Sequence, residues 1–276
     1  MTLKSPGGAL IGAILLALSG VLGAQDYPNR PIRMVVPFPP GGTPDINARL
    51  VAAQMSKQMG QNIVIENRAG ASGIIGIDAV AKAEPNGYNV LFITIAMVTN
   101  PTAFKKLPYD TVNDFVPVSN IANGIGMLLV VNPALGVDSV KELIARAAKA
   151  EKKLTYGSSG VGSGLAIGAQ LFEALGNVEM LHVPYKGLPP AVTALLAGEI
   201  NMMIAPPTIM IQHIKSGKLK ALAYTGVTRW PEMPSIPTMV EAGVPRYRYD
   251  NFWHALFAPR GTPGVIVARL ASEVRR

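Results

Sequence analysis

From residue 32 onward the chain repeats one pattern: a short apolar run, a turn rich in glycine or proline, then apolar residues at helical spacing. Ile32–Val36 is the first such run. It leads into Pro37-Phe38-Pro39-Pro40-Gly41-Gly42-Thr43-Pro44, which cannot be helix. A helix follows, with Ile46, Leu50 and Ala53 on one face. Residues 62–66 predict the second strand. Residues 70–76 form a second glycine-rich turn that opens a helix through Lys82, and residues 88–94 predict a third strand. Between them, Glu84-Pro85-Asn86-Gly87 stops the helix.

A longer apolar run at residues 126–131 restarts the cycle. Ser139-Val140-Lys141-Glu142 fits a capping box, in which Ser and Glu satisfy exposed backbone N–H groups, and Val140, Leu143, Ile144 and Ala147 then recur at helical spacing. Residues 154–157 predict a strand, and Ser158-Ser159-Gly160-Val161-Gly162-Ser163-Gly164 is the third glycine-rich turn. The next helix runs to Leu175, with Gly176 suited to a left-handed cap. Strands at 179–184, 200–204 and 219–225 alternate with helices at 190–197 and 208–216, which Gly198 and Gly217 close. Residues 247–258 are again extended and aromatic, and Thr262-Pro263 starts a last helix, Thr capping and Pro at the first position. That helix reaches Arg276 without a cap, as in a chain cut before its natural end. The alternation predicts an α/β chain with largely parallel sheets. The turns near residues 41 and 160 read as the first turns of two equivalent lobes.

Composition narrows the picture. A length of 276 residues suits two α/β lobes, and 49% hydrophobic against 15% charged residues argues against disorder. With no cysteine, a disulfide framework, a thiolate metal site and a cysteine nucleophile are excluded. The formal charge of +8 is scattered, as at Lys105-Lys106 and Lys152-Lys153, and no nucleic-acid recognition motif accompanies it. It reads as a solvated basic surface or as a mild field that draws in anionic solutes. Residues 1–24 predict a cleaved secretory signal: Lys4 supplies positive charge, residues 9–22 are apolar and small, and Leu22-Gly23-Ala24 ends the segment.

The glycine-rich turns carry the candidate chemistry. A helix start offers unpaired N–H groups and a partial positive charge, and glycine lets a ligand approach them. Two such turns facing each other could clamp a carboxylated molecule. A branched side chain at Gly42 would then block that approach. Asp45, in the first turn of a helix, reads either as a residue favoured there by the dipole or as one lining a cleft. Other chemistries fail on detail. Gly160-Val161-Gly162 is followed by Leu165 where a dinucleotide fingerprint needs its third glycine, and no GKS or GKT occurs. Ser158 and Ser159 do not fit G-x-S-x-G. His182, His213 and His254 are isolated, with no partner at ligand spacing, so neither a metal nor a cofactor is expected.

At the level of whole segments the chain resembles the Bug proteins, the solute-binding subunits of tripartite tricarboxylate transporters. The matching segments include the run from Pro31 to Asp45, Glu66-Asn67-Arg68-Ala69-Gly70-Ala71-Ser72-Gly73, Leu107-Pro108-Tyr109-Asp110, Tyr156-Gly157-Ser158-Ser159-Gly160, His182-Val183-Pro184-Tyr185-Lys186-Gly187 and Ala258-Pro259-Arg260-Gly261-Thr262-Pro263, in order along nearly the whole mature chain. The resemblance implies a type II periplasmic-binding-protein fold. Lobe 1 would comprise residues 25–124 and 247–276, lobe 2 residues 125–246, with crossover strands near 126–131 and 247–258. It implies a monomeric, non-enzymatic protein of the periplasm that captures a small organic acid for integral-membrane transporter subunits. A sensor that presents its ligand to a membrane signalling partner is the alternative. The loop Phe38, Pro40, Gly41, Gly42 and Thr43 would hold one carboxylate, partly through waters, and Ser158, Ser159, Gly160 and Ser163 would supply donors from the other lobe. Ser72, Thr94, Ala205 and Asp250 would line the cleft by their places in the pattern. Ala205 stands where many relatives carry Asp, which weakens the case for an amino-acid ligand.

Overall fold

The computed structural model describes residues 27–124, 126–250 and 252–276, so the expected signal segment lies outside the described residues. In lobe 1 the chain forms β1 (Ile32–Val36), α1 (Thr43–Met59), β2 (Ile63–Asn67), α2 (Ile74–Ala81), β3 (Asn89–Thr94), α3 (Ala96–Ala103) and β4 (Phe115–Gly124). It then builds lobe 2 from β5 (Leu128–Val131), α4 (Val140–Lys149), β6 (Thr155–Ser158), α5 (Gly164–Gly176), β7 (Leu181–Pro184), α6 (Leu188–Ala197), β8 (Met202–Ala205), α7 (Pro207–Lys215) and β9 (Lys220–Tyr224). It returns to lobe 1 for β10 (Phe252–Pro259) and α8 (Gly264–Arg275). Among the described residues no helix is long and apolar enough to cross a membrane.

Each lobe holds one five-stranded sheet, ordered β2-β1-β3-β10-β4 and β7-β6-β8-β5-β9. Strand β10 runs antiparallel to both its neighbours, and so does β5; the other four strands of each sheet share one direction. The reversed strand is in each case the one the chain forms on arriving from the other lobe. Both sheets are buried by helices on their faces, as parallel sheets require. The core of lobe 1 centres on Met34, Val35, Leu91, Phe92 and Leu256, that of lobe 2 on Leu129, Val130, Phe172, Met203 and Ile204. Burying each such side chain contributes about 1.5–3 kcal/mol.

Several local expectations are corrected. The face of α1 marked by Ile46, Leu50 and Ala53 points outward, and Leu50 is 67% exposed. The buried face carries Ala48, Ala52, Met55 and Met59 instead. Small alanines let the helix lie close on the sheet, and flexible methionines fill the remaining gaps. The left-handed cap of α5 is Asn177, one residue beyond Gly176. Thr262 does not cap α8; its hydroxyl donates to the Pro259 carbonyl, and Pro263 is the N-cap. In the box before α4, Ser139 Oγ accepts from Glu142 N, but the Glu142 carboxylate takes the N–H of Asp138 rather than that of Ser139. The extended segment expected at 247–258 is strand only from Phe252 on; Tyr247 is buried in the core of lobe 2, where its hydroxyl donates to the Gly168 carbonyl.

Candidate functional site

The lobes face each other through the loops that follow their parallel strands. The start of α1 (Gly42, Thr43, Pro44), the start of α5 (Ser163, Gly164, Leu165), Leu188 of α6 and Pro206 before α7 all line one enclosed cavity of about 30 Å3. Four helix N-termini therefore border this cavity with their partial positive ends, although Pro44, Pro189, Pro190 and Pro207 in their first turns carry no N–H and reduce the free donors. Phe38, Thr94 and Ser159 complete its wall, and none of its described lining residues is charged. The electrostatic character of the cavity thus comes from backbone dipoles and hydroxyls. Such an arrangement can favour an anion without a cationic side chain.

The local chemistry explains why the turn before α1 holds its shape. Gly41 has φ +81°, a left-handed conformation open to glycine at no steric cost. Its N–H donates to Asp45 Oδ2 at 2.9 Å. Asp45 also accepts from Arg49 Nε at 3.0 Å and from Asn67 Nδ2 at 2.9 Å, while Asn67 donates to the Phe38 carbonyl at 3.0 Å. Asp45 is thus a brace for the loop rather than part of the cavity wall. Gly42 is different from Gly41. Its φ of −81° suits any residue, and an added Cβ would approach other atoms no closer than 3.7 Å. Space in the cavity, not a backbone restriction, is what a side chain at Gly42 would take.

Across the cleft, Ser163 Oγ caps α5 by accepting from Ala166 N at 3.3 Å, while on the lobe 1 side Thr94 Oγ1 accepts from Ala96 N at 3.2 Å. Ser72 sits in the turn Gly70–Gly73, where four successive residues have positive φ. This turn reaches over to lobe 2, so that a Cβ on Gly160 would lie 2.8 Å from Ser72 Oγ. Thr99 Oγ1 donates to the Gly162 carbonyl at 2.7 Å, a direct bond between lobes. The lobes are therefore closed on each other. A second cavity of about 250 Å3 opens at this mouth side, lined by Phe38, Ser72, Ser159, Gly160 and Lys186 among others.

Not every expected residue arrives. Pro40 and Gly41 lie on the exposed rim of the loop, outside the cavity lining. Ser158 is fully buried: its Oγ donates to the Gly160 carbonyl, accepts from Gly160 N, and lies 2.6 Å from His182 Nε2. The His182 ring stacks on Tyr156 at 4.8 Å, and burial lowers its pKa. This pair shapes the turn from below. Ala205 is also fully buried, paired with Leu128 in the sheet, and Pro206 takes the cavity position. Asp250 lines a surface recess with Thr225, Arg229 and Arg248, away from the cleft cavity.

Residues without an expected role take their places. A third cavity of about 290 Å3 lies on the hinge side, lined by Asn47, Gly124, Gly126, Met127, Trp230 and His254 among others. Thr43, Pro206 and Phe252 line both this cavity and the enclosed one. The signal was present in β10, because strand residues alternate sides: Phe252 and His254 line the cavity, while Trp253 between them packs against the core of lobe 1. Among the described residues no group of three His, Asp or Glu could hold a metal ion.

A family model described as a tripartite tricarboxylate transporter family receptor matches residues 47–276. Protein BugT of Bordetella pertussis is 37% identical over 271 residues, covering 96% of this chain and 82% of that protein. An adipate-bound structure from R. palustris superposes with a TM-score of 0.86 at 39% identity, covering 90% of this chain and 83% of the other. MatC from Rhodopseudomonas palustris with bound malate gives 0.84 at 34% identity, covering 91% and 85%. Structural neighbours of this kind are periplasmic binding proteins rather than enzymes.

Proposed function

The chain belongs to the tripartite tricarboxylate transporter receptor family, together with the Bug proteins, and on that premise we propose that it captures a small organic acid between its two lobes for uptake. One observation carries the reading: four helix starts converge on a cavity whose described lining holds no charged side chain. Such a site favours a carboxylate and offers a neutral polyol little. The two solved relatives hold adipate and malate, and the same ligand class fits here. Residues Phe38, Gly42, Thr43, Thr94, Ser159 and Ser163 are the proposed first contacts, with Ser72 and Gly160 closing over them.

The protein acts in the periplasm after export, and integral-membrane transporter subunits receive its ligand. The lobes part and close about the two chain crossings, one between β4 and β5 and one just before β10, in the manner of hinged binding proteins. A free ammonium on the ligand is disfavoured, because the cavity presents helix N-termini and no described carboxylate.

The test is calorimetry on protein stripped of endogenous ligand, titrated with organic acids, amino acids and neutral sugars. One acid should bind per chain with micromolar or better affinity, and sugars should give no heat. A sugar that binds while every acid fails would overturn the reading.

A further inference from the structure

The enclosed cavity is too small for its expected ligand. A water needs roughly 10–15 Å3 of such volume, so about 30 Å3 admits no more than a water or two beside the helix starts. The remainder of any organic acid must lie in one of the two larger cavities. The mouth-side cavity has no buried unpaired polar atom among its described lining side chains. The hinge-side cavity has two, Thr43 Oγ1 and His254 Nε2.

His254 is the more informative. It is 3% exposed, between the rings of Phe92 at 5.4 Å and Phe252 at 5.5 Å. Asn47 Nδ2 lies 2.9 Å from His254 Nδ1. An amide nitrogen only donates, so Nδ1 accepts and the ring proton sits on Nε2. That N–H is buried and has no acceptor among the described residues. An unpaired buried donor is costly and rare in a finished structure. The rest of the cavity is lined by apolar Met127, Trp230, Pro206 and Pro207 and by polar Asn123 and Thr208, with exposed Glu232 the charged residue at its rim. A second carboxylate there would face Glu232 with neutral donors alone and no lining cation to balance it. A neutral oxygen meets no such repulsion.

We infer that the ligand is elongated: its carboxylate sits at the helix starts, its apolar body passes Phe252 into the hinge-side cavity, and a neutral acceptor oxygen at its far end takes the His254 Nε2–H. His254 is then a specificity-determining contact and Phe252 the partition between head and tail. The inference rests on the carboxylate reading above and extends it.

Two near-isosteric probes separate the ideas, para-acetylbenzoate and para-isopropylbenzoate, measured beside adipate and malate by calorimetry on the stripped protein. The acetyl compound should bind about tenfold tighter than the isopropyl one, the effect of one good hydrogen bond. In His254→Phe that ratio should fall to about one, and in His254→Gln, which keeps a donor, part of it should survive. Thermal melts show whether each variant is folded, and the ratio in the unaltered protein is informative whatever they show. Equal binding of the two probes, a ratio indifferent to His254→Phe, or binding of adipate and malate alone would overturn the inference and leave the carboxylate reading standing. Failure of every acid would remove both.

Discussion

The backbone N–H of Gly41 donates to the Asp45 carboxylate at 2.9 Å, so the turn before α1 is held by the helix it leads into. Burial alone would raise the Asp45 carboxyl. Hydrogen bonds from Arg49, Gly41 and Asn67, with the Arg49 charge, outweigh it and hold the pKa below the usual carboxylate range. This contribution is fully present above the unfolded carboxyl pKa and is lost as pH falls through the folded one. Asp45→Ala should cost about 1–3 kcal/mol at neutral pH, because it removes the charge-assisted hydrogen bonds that tie the loop to α1. Chemical denaturation should show that difference shrinking in acid. An undiminished gap in acid would point to packing rather than charge.

Gly41 and Gly42 should respond differently to substitution. Gly41→Ala places a side chain at φ +81°, which costs about 1–2 kcal/mol. Gly42→Val should leave stability within about 1 kcal/mol, because its φ is ordinary and its surroundings have room. The valine occupies the head of the cavity, so binding should be lost from a folded protein. Melting curves and calorimetry on the two variants check this, and normal binding by Gly42→Val would move the head group elsewhere.

The His254 ring should make stability depend on pH. Burial lowers its pKa to about 4 from an ordinary value near 6.5. The unfolded chain therefore takes up a proton between these values and the folded one does not. Stability is full above about pH 6.5 and should decline by up to about 3 kcal/mol as pH falls toward 4. Glu232, on the rim of the same cavity, is the charged group most able to soften that loss. His254→Phe should flatten this part of the profile in urea titrations; an unchanged slope would show that the ring is solvated.

Intrinsic fluorescence offers an independent check on the hinge side. Trp230 is buried, lines the hinge-side cavity and stacks on Tyr224 at 6.4 Å. Trp253, by contrast, packs against the core of lobe 1. Ligand should change the emission chiefly through Trp230, so Trp230→Phe should lose most of the signal and Trp253→Phe should keep it. The opposite result would confine the ligand to the mouth side.

The two-lobed plan was legible because it is written in proline, glycine and serine. These residues fix where helices begin, and they did so at Thr43 and Gly164. What the sequence hid were choices of side. Leu50 and Ile46 look like a core stripe, yet the sheet prefers the small face of α1. The hydroxyl of Ser158 turns inward to His182, and no spacing rule reports that. The strand β4 and the helix α3 carry too much polarity, and Pro117 and Pro101 within them, to stand out. His254 looked isolated because its partner Asn47 is 207 positions away along the chain.

Strand β10 has a consequence for how the molecule is assembled. It hydrogen-bonds to β3 on one side and β4 on the other, so those two strands do not pair with each other. The segment 32–124 can gather its apolar faces early but cannot complete a sheet, because the missing central strand is the segment 252–259. Lobe 2 has no such debt, since all five of its strands lie in one continuous stretch. The strands 32–124 therefore gain a complete sheet only once the segment 252–259 has been made, through a long-range pairing of the kind that slows folding.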